Sequence, residues 1–120
     1  MNMSNRNIRV SELIKREVSD ILHTRYQRET VTVTVTGVDV SPDHSNAIVF
    51  YTLLASGEER WKIQKFLDRI GGRVRFELGK RIVLKRLPAL NFKYDESIAK
   101  GNRIIELIDG FDGSINESVD

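Results

Sequence analysis

The sequence contains no cysteine, two prolines and one tryptophan. Without cysteine there is no disulfide and no thiolate metal site, and nothing suggests a small secreted scaffold. The opening MNMSNRNIRV lacks the apolar core of a signal peptide. No apolar run approaches the roughly 18 residues of a membrane span. A soluble, cytoplasmic chain with no membrane contact is the expectation. Histidine is scarce too: His23 and His44 fall on different elements, without a Ser or Asp constellation around them. Asp39 and Asp43 could look like a carboxylate pair, but turn-capping is the commoner role of such residues. Metal-ligand spacing is also missing. These absences point away from an enzyme and imply no cofactor, no metal and no small-molecule substrate.

Lys and Arg are missing altogether from residues 29–59, where five acids stand. The net charge of +2 is therefore segregated: +3 over residues 1–28, −5 over 29–59, +8 over 60–86 and −4 over 93–120. A solvated mixed surface spreads its charges, whereas a concentrated basic segment makes a local field for a polyanion. The length of 120 residues fits one domain that can bury a core without staples. Residues 1–110 read as that domain. Residues 111–120 read as an acidic, polar, disordered tail.

Val10, Leu13, Ile14, Val18, Ile21 and Leu22 recur at helical spacing, predicting an amphipathic helix from about Asn7 to Arg25. Glu17 falls among these apolar positions and needs a backbone or basic partner. Val31, Val33 and Val35 alternate with threonines as in a strand, and the alternation slips parity at Gly37, where a β-bulge is expected. Residues 41–46 (SPDHSN) are turn chemistry. Residues 47–54 (AIVFYTLL) are apolar at both parities, predicting a central strand paired antiparallel with the first.

Ser56 and Glu59 have the spacing of a capping box. Ile63, Phe66, Leu67, Ile70, Val74 and Leu78 then hold one helical face straight through Gly71-Gly72. Helical glycines cost about 1 kcal/mol each relative to alanine, so a kink or break between two helices is expected at Ile70-Gly71-Gly72. Gly79 is expected to end the second half. Residues 81–87 (RIVLKRL) read as the third strand, limited by Pro88, and Phe92 and Tyr94 resume an extended pattern. Ile98, Ile104, Ile105 and Ile108 suggest a short C-terminal helix. The fold class is α+β, in the order α-β-β-α-kink-α-β, with helices on one face of a three-stranded sheet.

On a helical wheel with Trp61 at 0°, Ile63, Phe66, Leu67, Ile70 and Val74 span about 140° to 240°. Lys62, Lys65, Arg69, Arg73 and Lys80 fall between about 40° and 120° on the same wheel. They form one ridge beside the buried face, with Phe76 inside the sector and Trp61 at its edge. Arg75, Arg81, Lys85 and Arg86 extend the charge, and Arg6, Arg9 and Arg16 add a basic strip on the first helix. Basic residues interleaved with aromatics suit phosphate attraction plus base stacking, and RNA is the expected ligand. The opposing reading is a solvated helix face; only Asp68 and Glu77 are there to neutralise it. If a kink resets the helical phase, Phe76 turns into the core instead. Gly71-Gly72 also carries two compatible readings: a packing device at a bend, or a backbone approach to phosphate.

The order α-β-β-α-α-β with a glycine turn between two helices is similar to a type II KH domain, although no G-x-x-G loop is present and Ile70-Gly71-Gly72 stands in its place. Several stretches together resemble the ribosome-binding factor A family. They are residues 17–22 (EVSDIL), 33–35 leading to 38–43 (VDVSPD), 47–51 (AIVFY), 72–81 (GRVRFELGKR) and 88–97 (PALNFKYDES). The resemblance covers about residues 5–108. Gly72 matches that family's kink glycine, while Ile70 stands where its alanine is expected. The resemblance implies a non-catalytic, monomeric factor that binds the free small (30S) ribosomal subunit and its 16S rRNA. It also implies assistance to late subunit maturation and 16S rRNA 5′-end processing, with a role in growth in the cold. From the residues alone, a generic nucleic-acid binder and a module for an acidic protein partner stay open.

Overall fold

The computed structural model describes residues 5–54 and 57–96. The cap at Ser56, the C-terminal helix and the acidic tail lie outside the described residues. Two helices and three strands follow in the order α1 (Asn5–Arg25), β1 (Val33–Val40), β2 (Asn46–Leu53), α2 (Gly57–Arg81) and β3 (Ala89–Tyr94). The α+β class with one three-stranded sheet is as the sequence predicts; the partition of its second half is not.

The sheet has the order β1-β2-β3, with β2 in the centre. β1 and β2 pair antiparallel, and the register slips between Val35 and Gly37, at the parity change read from the sequence. Strand β1 begins at Val33 rather than Val31, which is exposed. In the turn, Asp43 Oδ1 accepts hydrogen bonds from Ser41 Oγ at 2.8 Å, the Ser45 amide at 3.0 Å and Ser45 Oγ at 2.7 Å. The Ser45 hydroxyl, then its amide and Ser41, hold the Asp43 carboxyl well below the ordinary carboxylate range.

Both helices lie on one face of the sheet, α1 against β1 and α2 against β3. Val33, Val35, Val38, Val40, Ala47, Val49, Tyr51 and Phe92 point into the core beneath them. From the helices come Ile14, Val18, Ile21, Leu22, Leu67, Val74 and Leu78, all fully buried. Across the sheet, Thr34 pairs with Thr52, Asp39 with Ile48 and Phe50 with Lys93, so strand alternation assigns them to the opposite face. The Tyr51 hydroxyl donates to Gln64 Oε1, whose amide nitrogen donates to Asp68 Oδ1 and to the Phe92 carbonyl, both at 2.9 Å. Burial pushes the Tyr51 phenol up to about 12.

Two corrections concern the second half of the chain. The expected break at Ile70-Gly71-Gly72 is absent: α2 is continuous from Gly57 to Arg81, and neither glycine has a positive φ. Burying Leu67, Val74 and Leu78 contributes about 1.5–3 kcal/mol each, which outweighs the glycine penalty of about 1 kcal/mol apiece. Gly71 is buried, and a Cβ there would touch the Leu90 carbonyl oxygen at 3.8 Å and Phe92 Cε2 at 3.9 Å. Its missing side chain lets the helix lie close on β3.

The second correction is the third strand. Arg81 closes α2, and residues 82–88 form an irregular connection carrying Lys85 and Arg86. The strand is Ala89–Tyr94, paired parallel with β2. Gly79 does not stop the helix. A Cβ there would come 3.0 Å from Leu87 Cδ2, so this glycine makes room for the returning connection. Ile82 and Pro88 are buried and anchor that connection, which explains why its apolar content imitates a strand.

Candidate nucleic-acid interface

An unbroken α2 keeps one helical phase from end to end. Lys62, Lys65, Arg69, Arg73 and Lys80 are all exposed along it, as the wheel predicts. Trp61 and Phe76 join them at 64% and 67% exposure, so Phe76 does not turn into the core. The two exposed rings stand among the five cations of this ridge. Lys65 Nζ lies 4.3 Å from the Trp61 ring centre, and Lys80 Nζ lies 4.7 Å from that of Phe76. The Arg69 guanidinium is 5.5 Å from the half-buried Phe66 ring. Exposed contacts of this kind are worth about 0.5–1 kcal/mol, which a phosphate or a stacked base can displace at small cost.

Beside the ridge, α1 and α2 enclose an open groove of about 410 Å³. Gly72 and Ile21 help line it, with Arg73 and Phe76 on its ridge side and Tyr26 on its α1 side. Gly72 is exposed and nothing lies within 4 Å of a Cβ built on it, so the helix backbone is open to approach there. Tyr26 packs edge-on against Phe66 at 5.8 Å and fixes the end of α1 beside α2. Arg25 Nη2 meets Glu77 Oε2 at 2.9 Å, which removes Glu77 from the acids available to neutralise the ridge. Sequence reasoning missed this groove. Tyr26 lies four residues beyond Leu22 and continues the α1 apolar stripe, the one signal that could have placed it there.

The remaining candidates do not join the ridge. Arg75 donates from Nε to the Pro88 carbonyl at 3.0 Å and from Nη2 to the Leu87 carbonyl at 2.7 Å, strapping the connection to α2. Arg81 donates from Nη1 to Asp20 Oδ2 at 2.6 Å and Glu17 Oε1 at 3.2 Å, answering the question of what Glu17 pairs with. The Asp20 hydrogen bond foremost raises the Arg81 pKa further. Arg16 is exposed near Glu17 at 3.6 Å, and Arg9 is exposed on the same helix. The Arg6 side chain lies outside the described ones. Lys85 and Arg86 line a separate groove with Val10, Pro42, Asp43 and His44. Among the described residues no three His, Cys, Asp or Glu side chains gather where they could hold a metal, and no helix is long and apolar enough to cross a membrane.

The architecture is thus α-β-β-α-β with both helices on one sheet face and a basic-aromatic ridge on the second helix, the class that the KH-like reading anticipates. The chain belongs to the ribosome-binding factor A family, whose family model matches residues 6–108. A ribosome-binding factor A from Opitutus terrae is 44% identical over 110 residues, covering 92% of this chain and 90% of that protein. Another, from Enterococcus faecalis, is 43% identical over 105 residues, covering 86% and 90%. The fold is similar to the crystal structure of ribosome-binding factor A from Thermus thermophilus. The TM-score is 0.66 at 23% identity, over 73% of this chain and 94% of that one. It is also similar to a Thermus thermophilus ribosome binding factor A homology model fitted into the cryo-EM map of a 30S–RbfA complex. There the TM-score is 0.58 at 24% identity, over 70% and 89%.

Proposed function

We propose that this chain binds the free small ribosomal subunit in the cytoplasm as a monomer, with the ridge of α2 laid against 16S rRNA. It assists late maturation of the subunit, including processing at the 5′ end of 16S rRNA, and it matters most for growth in the cold. The protein performs no chemical step. Its work is to bind and shape folded RNA.

One observation carries this reading: a single uninterrupted helix presents Lys62, Lys65, Arg69, Arg73 and Lys80 together with exposed Trp61 and Phe76. Family membership, and relatives named for ribosome binding, support rRNA over DNA or an acidic protein as the ligand proposed for the ridge. A basic ridge on one continuous helix reads backbone and shape. A wide, shallow A-form minor groove or a single strand suits it better than B-DNA. Arg9, Arg16, Lys85 and Arg86 lie off the ridge and serve as secondary phosphate contacts.

Replacing Arg69, Arg73 and Lys80 together by Glu tests the reading. None of the three belongs to the core, so circular dichroism should remain that of the parent. Co-sedimentation with the small subunit should be lost. Normal sedimentation of the triple variant would remove the ridge as the main contact and move the search to Arg6, Arg9 and Arg16 on α1.

A further inference from the structure

The parallel pairing of β2 with β3 decides where the chain goes after the sheet. Both strands run the same way, so β3 ends beside the end of β2, where α2 begins. The Asp95 amide donates to the Tyr51 carbonyl at 2.7 Å, and the Asp95 carboxylate accepts from the Thr36 hydroxyl. Glu96 Oε2 meets Arg60 Nη2 at 2.8 Å, one residue before Trp61. Glu96 therefore hands the chain on at the N-terminal end of the basic ridge.

The sequence beyond Glu96 is complementary to that ridge. After Arg103 it holds Glu106, Asp109, Asp112, Glu117 and Asp120 and no Lys or Arg. Ile104, Ile105 and Ile108 precede or interleave with these acids. Opposite them, Lys65, Arg69, Arg73 and Lys80 pair with no carboxylate within 4.0 Å among the described residues. The exposed rings of Trp61 and Phe76 stand among them. The span is short enough: α2 has 25 residues and is about 37 Å long, a distance that roughly eleven extended residues cover.

We propose that the acidic, isoleucine-bearing stretch after Glu96 lies back along the α2 ridge and competes there with RNA. This rests on the reading of the ridge as the RNA surface. Carboxylates take the places of phosphates on Arg69, Arg73 and Lys80, and the isoleucines cover Trp61 and Phe76. Weak polyanions are turned away, and a folded RNA that engages many cations at once displaces the strap. Because exposed pairs contribute little individually, the strap is reversible and sensitive to salt.

The full chain has no cysteine, so Ser114→Cys carries a single nitroxide label. Without RNA, the label should broaden backbone amide resonances along residues 61–80, and about 1 M salt should abolish this. Broadening centred on the open sheet face at Ile48 and Phe50, or spread evenly, would overturn the proposal. Neutralising all five acids (E106Q, D109N, D112N, E117Q, D120N) should remove the broadening. Its persistence would also overturn the proposal. The neutralised chain should bind an oligouridylate at least roughly threefold more tightly at low salt. Unchanged affinity would defeat the competition. Failure of the ridge reading shows elsewhere, as unimpaired subunit binding by the Arg69, Arg73 and Lys80 triple variant, so the two failures are distinguishable.

Discussion

Arg81 Nη1 and Asp20 Oδ2 meet at 2.6 Å across the two helices, with Glu17 joining at 3.2 Å. This arginine clips the C-terminal end of α2 to the second half of α1. Arg81→Ala should lower the thermal unfolding midpoint, with a smaller effect at high salt, and leave the salt dependence of RNA binding unchanged. Lys65→Ala should do the opposite. Unfolding stays as in the parent, while the slope of log affinity against log salt falls by about 0.7–0.9, as for one lost phosphate contact. Thermal denaturation and a salt series of binding isotherms separate the two roles.

Trp61 is the sole tryptophan, and at 64% exposure its emission reports directly on the ridge. Adding single-stranded RNA should change that emission. Trp61→Ala should weaken binding roughly fivefold or more with the salt slope retained, because stacking on a base releases no counterion. A slope that falls in step with affinity would mean that the ring acts only through Lys65.

Gly71, Gly72 and Gly79 of α2 should respond differently to alanine. Gly72→Ala adds a Cβ to open space and should stabilise by about 1 kcal/mol through helix propensity. Gly71→Ala adds ordinary contacts at 3.8 and 3.9 Å and should gain somewhat less. Gly79→Ala meets Leu87 Cδ2 at 3.0 Å, so the gain should vanish unless that side chain shifts. Urea denaturation ranks the three. Weaker RNA binding by the stabilised Gly72→Ala chain would identify the groove beside Ile21 as a contact.

Two buried or bonded groups set opposite pH limits. Tyr51 has a folded pKa raised from 10.0 to about 12 by burial. The folded state therefore holds its proton more tightly than the unfolded one. Its contribution is complete below pH 10 and is lost as pH rises through 12. Tyr51→Phe should flatten this alkaline limb, and the lost hydrogen bond to Gln64 should cost about 1 kcal/mol at neutral pH. Asp43 is depressed instead, foremost by the Ser45 hydroxyl, so its contribution is present above the unfolded value of 3.8 and is lost as pH falls below it. Asp43→Asn should blunt the acid limb of the same stability profile.

Local patterns made much of this legible. α1, the bulge at Gly37, the hairpin and the central place of β2 all follow from periodicities and turn residues within a few positions of one another. The third strand does not. Ile82, Leu84 and Leu87 look like strand residues because they are anchored in the core. What makes them a connection is the long-range pairing of Ala89–Tyr94 with β2, together with the space that Gly79 leaves for Leu87. The continuity of α2 was hidden for a similar reason. Propensity penalises Gly71-Gly72, and only the burial of Leu67, Val74 and Leu78, with β3 close against Gly71, reveals the compensation. On the ridge, phase and charge were readable, whereas the diversion of Arg75 and Arg81 to carbonyls and carboxylates depends on elements distant in sequence.

Because β2 and β3 run parallel, α2 is the crossover that joins them, and its two ends are fixed by strands on either side of it in the chain. During synthesis the ridge residues leave the ribosome before Tyr94 does. Until β3 has emerged and zipped onto β2, α2 is tethered at one end only. The face proposed to meet RNA is therefore completed late, and a chain interrupted between Arg81 and Ala89 would carry every basic residue of the ridge without the sheet edge that aims it.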